Sequence, residues 1–333
     1  MQVSDFYYDL PRELIAQEAP AERGGSQMLV VSRETQSFHD DSFRNFSKYI
    51  RAGDCLILNN TRVFPARLHG RRNHAAGAEL EVLLLREEET NIWKCLVKPA
   101  KRARVGDRIL FSDEFSAQVL EEGEFGERRV RLIAAAPIAE LLERYGEMPL
   151  PPYIERQAAA ADRERYQTVF AAHTGSAAAP TAGLHFTAAM LEECRAAGAK
   201  IAYITLHVGL GTFAPLREKR LEDIQLHEEH FEITDGDAEQ IRSAKRRFCV
   251  GTTSVRAIES AVTATQGETR LFIYPGYQFR VADAMLTNFH LPESSLLMLV
   301  SAFAGRELVL AAYRHAVAAR YRFFSYGDCM LIE

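Results

Sequence analysis

Apolar residues recur at every second position through the middle of the chain. From about residue 65 to residue 136 they form short runs such as AELEVLLL (78–85) and RRVRLI (128–133), which glycines and charged residues separate. A period of two places alternate side chains on opposite faces of a β-strand. About six such strands, with no convincing helix among them, predict a small antiparallel barrel or sandwich.

The segments on both sides of this region mix helical and strand patterns. Strands are predicted at residues 28–31, 56–58, 200–206, 248–250, 271–274 and 285–288, and helices at 5–17 after an extended start, 42–50, 138–145, 187–197, 235–247, 255–264 and 306–320. A proline-rich segment at 148–154 indicates a domain junction. We therefore predict an α/β domain, a mixed sheet with flanking helices formed by residues 1–62 and 150–333, with an inserted small antiparallel β-barrel domain at 63–149.

The composition is consistent with two domains. The chain has 333 residues, of which 47% are hydrophobic and 26% charged, as in globular proteins with a substantial core. The longest apolar run, at 296–304, is too short to span a bilayer, and the N-terminus does not resemble a secretory signal. Five scattered cysteines without a C-x-x-C pair predict reduced, mostly buried thiols in a cytoplasmic protein.

Two short basic clusters interrupt a chain whose net charge is −5. Residues 62–78 contain four arginines and no acid, and residues 98–108 contain five basic residues and one acid. These clusters suggest a phosphate-binding face on the barrel, although a solvated surface explains them equally well. The candidate RNA contacts are Arg67, Arg71, Arg72, Lys101, Arg102 and Arg104.

Polar segments follow many of the predicted strands. At least six are placed in this way, namely residues 59–62, His185, 207–212, 251–256, 288–290 and 325–328. In open α/β sheets the carboxyl ends of the strands form the ligand site. Any one segment alone is more simply structural, but together they predict an enzyme with a large polar substrate. The backbone N–H groups at 251–254, at the start of a helix, suit a carboxylate or phosphate.

Common cofactor and metal motifs are incomplete in this sequence. The segment HVGLGT, which begins at His207, lacks the third glycine of a dinucleotide fingerprint, and a phosphate-binding P-loop is missing. His227 and His230 lie three residues apart rather than four, without a good third ligand nearby. Neither a metal nor another cofactor is therefore expected.

Seven longer segments closely resemble one enzyme family, the S-adenosylmethionine:tRNA ribosyltransferase-isomerases of queuosine biosynthesis. The resemblance starts at DFYYDLPRELIAQ and covers essentially the whole chain in the family's order. It implies an α/β domain that carries an inserted barrel. The matching segments are LNNTRVFPARL (58–68), APTAGLHFT (179–187), TLHVGLGTF (205–213), GTTSVRAIES (251–260), LFIYPGYQFR (271–280), TNFHLPESSLLMLVSAFAGRE (287–307) and YRFFSYGDCMLI (321–332).

The resemblance also implies the reaction. The ribosyl part of S-adenosylmethionine would move onto 7-aminomethyl-7-deazaguanine at the wobble position of a queuosine-group tRNA. Isomerisation would give epoxyqueuosine, with release of adenine and methionine. S-adenosylmethionine would thus be a cosubstrate, and the chain is expected to act as a monomer.

This chemistry needs a base for the acidic carbon next to the sulfonium, a proton for adenine, and groups that hold the ribose. Histidine suits both proton roles near neutral pH. The sequence does not decide which histidine is the base, and the methionine carboxylate is assigned either to Arg256 or to the N–H groups at 251–254. The proposed catalytic residues are His185, His207, His290 and Asp328. The proposed substrate-binding residues are Asn59, Asn60, Arg62, Thr181, Gly183, His227, Glu229, Thr252, Thr253, Ser254, Arg256 and Asn288.

Some positions depart from the family pattern. Gln27 and Glu293 stand where a basic residue is usual, Ala214 stands where a longer side chain is common, and the segment at 263–270 is short. Two other functions remain as alternatives. An S-adenosylmethionine-dependent tRNA methyltransferase would use the same cosubstrate but donate its methyl group. A non-catalytic RNA-binding barrel protein would share the basic clusters without needing the polar strand ends.

Overall fold

The computed structural model describes residues 1–73, 77–209, 216 and 218–333. The strands are β1 Gln27–Ser32, β2 Ser37–Ser42, β3 Asp54–Asn59, β4 Thr61–Val63, β5 Arg67–Arg72, β6 Glu79–Glu89, β7 Ile92–Lys98, β8 Arg108–Leu110, β9 Phe115–Glu122, β10 Glu127–Ala134, β11 His173–Ser176, β12 Lys200–Leu206, β13 Glu229–Glu232, β14 Arg246–Val250, β15 Gln266–Thr269, β16 Ala284–Asn288 and β17 Cys329–Ile332. The α-helices are α1 Ile138–Tyr145, α2 Asp162–Arg165, α3 Ala188–Ala196, α4 Asp235–Ser243, α5 Thr252–Ser260, α6 Ser295–Ala304 and α7 Arg306–Ala318.

Strands from both ends of the chain form one nine-stranded sheet in the order β15-β13-β12-β3-β14-β16-β17-β1-β2. The four central strands β12, β3, β14 and β16 are parallel, and so are β17 and β1. The remaining pairs are antiparallel. This arrangement confirms the predicted mixed sheet, because β1 and β3 pair with strands that lie more than 140 residues later along the chain.

The central strand β3 is buried along its whole length, as expected for a parallel strand covered on both faces. Its alternate residues enter two different apolar cores. Ile57 packs on one face with residues of α6 and α7, and Leu58 packs on the other face with Phe46 and Phe186. Local signals at the ends of helices also hold, since the Thr187 hydroxyl accepts from the Met190 N–H at the start of α3, as predicted.

Residues 67–134 form a closed antiparallel barrel in the order β10-β7-β6-β5-β8-β9, which confirms the predicted inserted barrel. Closure leaves no unpaired edge strand. The chain enters at Arg67 and leaves at Ala134 at one end of the barrel. Because neighbouring strands are antiparallel, the loops at 99–107 and 123–126 lie at the opposite end. The domain limits at residues 62 and 149 stay a prediction.

Several predicted elements were wrong. Residues 271–274 are not a strand, because the side chain of Glu259 holds the following segment by accepting N–H groups from Arg280, Val281 and Ala282. The predicted helices at 5–17 and 42–50 are short 3-10 helices instead, at Val3–Phe6, Arg12–Leu14 and Phe43–Tyr49. Strands β2, β4, β11, β13 and β15 were not predicted, since short polar segments have no apolar period. The short apolar strand β17 was not predicted either.

All five cysteines are buried and unpaired, as the sequence predicted. Within the described part of the chain, no single helix is long and apolar enough to cross a membrane. Helices α6 and α7 are long and apolar enough when taken together, but they are bent by 116° relative to each other.

Candidate active site

A cavity of about 290 Å³ lies beyond the carboxyl ends of β12, β14 and β16. Four of the six predicted polar segments, 207–212, 251–256, 288–290 and 325–328, contribute lining residues, whereas 59–62 and His185 do not. Its polar lining includes five residues predicted to bind substrate or to catalyse the reaction, and its apolar lining includes Val208, Leu291, Leu296 and Phe324. The five predicted residues are Thr181, Thr252, Thr253, Asn288 and His290.

The N-terminus of α5 borders this cavity through Gly251, Thr252 and Thr253. Gly251 has φ of 91°, a left-handed conformation that a residue with a side chain rarely adopts. This turn directs the chain from β14 straight into the helix. The first N–H groups of a helix lack partners within the helix and carry partial positive charge, so this end of α5 suits an anionic group.

His290 is held from several sides at the wall of the cavity. Its N–H donates to the Tyr313 hydroxyl at 3.0 Å, and its carbonyl oxygen accepts from the Tyr8 hydroxyl. Its Nε2 lies 2.8 Å from Oγ1 of Thr287, which also donates to the carbonyl oxygen of Asn288 at 3.3 Å. This donor pattern favours a proton on Nε2 and a lone pair on Nδ1. Burial lowers the pKa of His290 to about 3, so the ring is neutral.

His185 lies behind Asn288 rather than among the described residues of the cavity wall. Its Nδ1 is 3.0 Å from the Ser26 hydroxyl, and its ring packs against Phe43. Burial lowers the pKa of His185 to about 4, against a smaller opposing effect of the Asn288 side chain. Asn288, which does line the cavity, donates to the Phe324 carbonyl oxygen at 2.8 Å.

A second cavity of about 40 Å³ contains three further predicted residues, His227, Glu229 and Arg256. Arg256 and Glu229 form a buried ion pair at 2.6 Å, and Nε of Arg256 donates to the Leu271 carbonyl oxygen at 3.3 Å. Leu296 lines both cavities. Because the Arg256 charge is already paired, the end of α5 is the better candidate for a substrate carboxylate.

His207 occupies a different place from the other two catalytic candidates. Its Nδ1 is 2.8 Å from the Thr61 hydroxyl, and its ring lies directly against Gly175, where a Cβ atom would come within 2.7 Å of it. Burial and the neighbouring His230 and His173 lower the pKa of His207. Its neighbours Val208 and Gly209 line the larger and the smaller cavity respectively. Gly211 and Thr212 of the predicted polar segment, and Ala214, which departs from the family pattern, lie outside the described residues.

The remaining predicted residues make contacts that the fold alone explains. Both oxygens of Asp328 accept backbone N–H groups, from Gln27 at 2.8 Å and Arg322 at 2.7 Å, while burial raises its pKa. Asn59 joins the ends of β3 and β12 through the Leu206 backbone. Their predicted roles in catalysis or binding stay predictions. The other residues with such structural contacts are Asn60, Arg62, Gly183 and Ser254.

The structure adds polar lining residues that sequence reasoning did not propose, namely Tyr153, Thr287, Glu293 and Ser294, and it places Ser325 of the predicted polar segment 325–328 beside them. Tyr153 stacks on Phe324 with ring centroids 4.3 Å apart, and its hydroxyl is 2.5 Å from that of Ser325. Thr287, Glu293 and Ser294 belong to the same matched segment as His290, so that segment could have indicated them. Tyr153 lies in the proline-rich segment at 148–154, where no sequence motif indicated a site residue.

The predicted RNA contacts divide into two groups. Arg67 lies at the end where the chain enters the barrel, and it donates to the Leu150 carbonyl oxygen. The other five lie at the opposite end, where Arg71 is paired with Glu79 and Arg72 with Asp107. Among these six predicted contacts, the exposed cations that form no ion pair with any described residue are Lys101, Arg102 and Arg104.

A buried arginine holds the loop that carries these three cations. Arg128 donates to the carbonyl oxygens of Ala100 and Ala103, each at 2.7 Å. Within the described residues, no three histidine, cysteine, aspartate or glutamate side chains are arranged to hold a metal ion. The expectation that the protein needs neither a metal nor another cofactor stays a prediction.

Comparison with known proteins agrees with the resemblance noted in the sequence. A family described as queuosine biosynthesis protein matches residues 3–332. The chain is 52% identical to the S-adenosylmethionine:tRNA ribosyltransferase-isomerase of Solibacter usitatus and 48% identical to that of Caldanaerobacter subterraneus subsp. tengcongensis, and both matches cover 100% of each chain. It is also similar to the crystal structure of S-adenosylmethionine tRNA ribosyltransferase from Thermotoga maritima. That match has a TM-score of 0.57 and 36% identity, and it covers 99% of this chain and 100% of the other.

These relatives favour neither of the alternative functions, the methyltransferase and the non-catalytic barrel protein. Their names describe ribosyl transfer and isomerisation, and the matched family covers nearly the whole chain, including every residue that lines the two cavities. The chain therefore belongs to the queuosine biosynthesis protein family, in the group of S-adenosylmethionine:tRNA ribosyltransferase-isomerases.

Proposed function

We propose that the larger cavity binds S-adenosylmethionine and transfers its ribosyl group to 7-aminomethyl-7-deazaguanine in the anticodon loop of a tRNA. The observation that carries this proposal is the convergence of Thr181, the start of α5, Asn288 and His290 on one cavity. The cavity has polar groups on one side and apolar groups on the other, as cosubstrate pockets require. The family of the chain supports the choice of cosubstrate.

The two sides of the cavity suit different parts of the cosubstrate. The methionine carboxylate binds the free N–H groups at the start of α5, where the helix dipole favours negative charge. The apolar side chains of Leu291, Leu296 and Phe324 pack against the uncharged parts of the molecule. The hydroxyl of Thr181 is available to the ribose, whereas that of Thr287 is already bonded to His290 and Asn288.

His290 is the proposed proton-transfer residue. A proton must leave the carbon next to sulfur, the bond from that carbon to sulfur must break, and adenine must take up a proton as its bond to ribose breaks. The Nδ1 lone pair of a neutral His290 can accept the first proton, because Thr287 occupies Nε2. The ring then holds a proton that it can pass on.

The tRNA lies across the end of the barrel that carries Lys101, Arg102 and Arg104. Arg128 holds the backbone of their loop in place. Little conformational entropy of that backbone is therefore lost when the cations bind RNA. The target base stands at a wobble position in a loop, and a base in a loop can enter a cavity without disrupting a duplex. No metal or second cofactor is part of the proposal.

Isotope labelling tests this reaction against methyl transfer. With tRNA that carries 7-aminomethyl-7-deazaguanine, methyl-labelled S-adenosylmethionine should release labelled methionine and free adenine in equal amounts, one for each base modified. Ribose-labelled cosubstrate should label the RNA, because the ribosyl carbons become part of the modified base. Methyl label in the RNA, with release of S-adenosylhomocysteine, would contradict the proposal.

Charge reversal tests the RNA face. The triple variant Lys101→Glu/Arg102→Glu/Arg104→Glu should weaken tRNA binding, and it should reduce the slope of log K against log salt by up to about 3. Binding of S-adenosylmethionine should not change. The measurement is tRNA affinity across a salt series.

A control triple variant, Arg12→Glu/Arg44→Glu/Arg195→Glu, has the same change in net charge at exposed positions elsewhere. If both triple variants change the salt slope equally, the RNA contacts do not lie on this end of the barrel.

A further inference from the structure

We propose that the carboxylate of Glu293 recognises the positively charged sulfonium of the cosubstrate and thereby distinguishes S-adenosylmethionine from uncharged thioethers. This inference rests on the proposed function, because it assumes that S-adenosylmethionine occupies the larger cavity. The family pattern usually has a basic residue at position 293, so the inference concerns this chain and not the family as a whole.

The first support is the charge of the cavity wall. Among the described residues that line the cavity, Glu293 carries the one carboxylate, and neither lysine nor arginine is present. Its carboxylate forms no ion pair with any described residue. S-adenosylmethionine carries a sulfonium, an ammonium and a carboxylate, so its net charge is +1. A single carboxylate complements that net charge.

The second support is the backbone. Pro292 and Glu293 are the central residues of a turn, and Glu293 has φ of 59°. That conformation favours glycine or asparagine at the third position of a proline-containing turn. A glutamate held in this conformation is strained, and such strain is concentrated at functional sites.

The turn is held in place from both sides. The Glu293 N–H donates to the Phe6 carbonyl oxygen at 3.1 Å. The Ser294 hydroxyl donates to the Leu291 carbonyl oxygen at 2.8 Å and accepts from the Leu297 N–H at the start of α6. The backbone of Glu293 is therefore fixed at the cavity wall, and only its side chain needs to be ordered on binding.

The sulfonium is the better partner because of what the reaction does to it. When the bond from sulfur to the ribosyl carbon breaks, the electron pair stays on sulfur and the sulfonium becomes the neutral thioether of methionine. The ammonium and the carboxylate of the methionine part do not change. A carboxylate that binds the sulfonium therefore holds the cosubstrate more tightly than the product and favours product release.

Binding measurements with S-adenosylmethionine and S-adenosylhomocysteine test the inference, since the second compound lacks the sulfonium charge. For Glu293→Gln we expect the Kd of S-adenosylmethionine to rise about tenfold and that of S-adenosylhomocysteine to change less than about twofold. Glu293→Gly should lose the same selectivity and should not lower the melting temperature, because it relieves the left-handed strain. Glu34→Gln, at an exposed turn, is the control and should change neither Kd.

Equal increases in both Kd values would place Glu293 against the ammonium and overturn the inference, and so would unchanged values. Either result leaves the proposed function standing, provided that the wild-type chain binds S-adenosylmethionine and shows the labelling pattern of ribosyl transfer. A wild-type chain that binds neither compound would overturn both.

Discussion

His290→Ala should slow ribosyl transfer by about 10²-fold or more, because positioned proton transfer contributes rate factors of this size. His290 lines the cavity, Thr287 fixes its ring, and Tyr8 and Tyr313 fix its backbone. The loss should appear in single-turnover measurements at saturating S-adenosylmethionine and tRNA. The affinity for cosubstrate should change much less, since the other contacts of the cavity remain.

Two comparisons make this result specific. His185→Ala and His207→Ala remove histidines that the described cavity wall does not include, so each should lose less activity than His290→Ala. A circular dichroism spectrum must show that His290→Ala remains folded. A larger loss in either of the other variants would contradict the assignment of His290, and the affected histidine would take its place.

Acid should destabilise the protein as the pH falls from about 6.5 to about 4. Burial lowers the pKa of His185 to about 4 and that of His290 to about 3, whereas an unfolded histidine titrates near pH 6.5. In this window the unfolded chain binds protons that the folded chain does not. The free energy of unfolding therefore falls as the pH falls, by up to about 1.4 kcal/mol per pH unit for each histidine.

The stabilisation is complete above pH 6.5 and is lost as the pH falls toward the folded pKa. His207 acts in the same direction, because its pKa is also lowered. Asp328 acts in the opposite direction, since burial raises its pKa and favours the protonated form in the folded state. Its unfolded pKa is near 4, so its effect falls mainly at the acid end of the window.

Urea unfolding at pH 7 and pH 5 measures this dependence. Between these two pH values, His185→Gln and His290→Gln should each lose about 2 kcal/mol less stability than the wild type. Glutamine has no charge to gain, and it preserves some hydrogen bonding. An unchanged pH dependence in both variants would show that other groups cause the acid sensitivity.

Parts of this structure follow from short-range patterns. The period of two between about residues 65 and 136 predicted the barrel, because alternate side chains of a strand face opposite sides. Thr187 was recognisable as the N-cap of α3 because its hydroxyl serves an N–H group three residues later. Polar residues after buried strands predicted a site at the carboxyl ends of β12, β14 and β16.

The predictions failed where one side chain replaces a backbone ladder. Residues 271–274 have a strand-like composition, but Glu259 holds the segment that follows them through backbone N–H groups at 280–282. The catalytic role of Asp328, by contrast, stays a prediction, although both of its oxygens accept backbone N–H groups. The partners of Glu259 lie 21 to 23 residues away along the chain, so no local pattern indicates these contacts.

The sequence by itself determined the strands and helices with strong periodicity, the inserted barrel and the family. It also indicated which loops carry candidate site residues. The tertiary structure alone decided which of those residues meet. Placing β3 between β12 and β14 leaves Asn59 as a link between strands, whereas His290, Glu293 and the start of α5 share one cavity. The reason is that periodicity and capping act over a few residues, while the wall of a cavity depends on strand order and on contacts between distant segments.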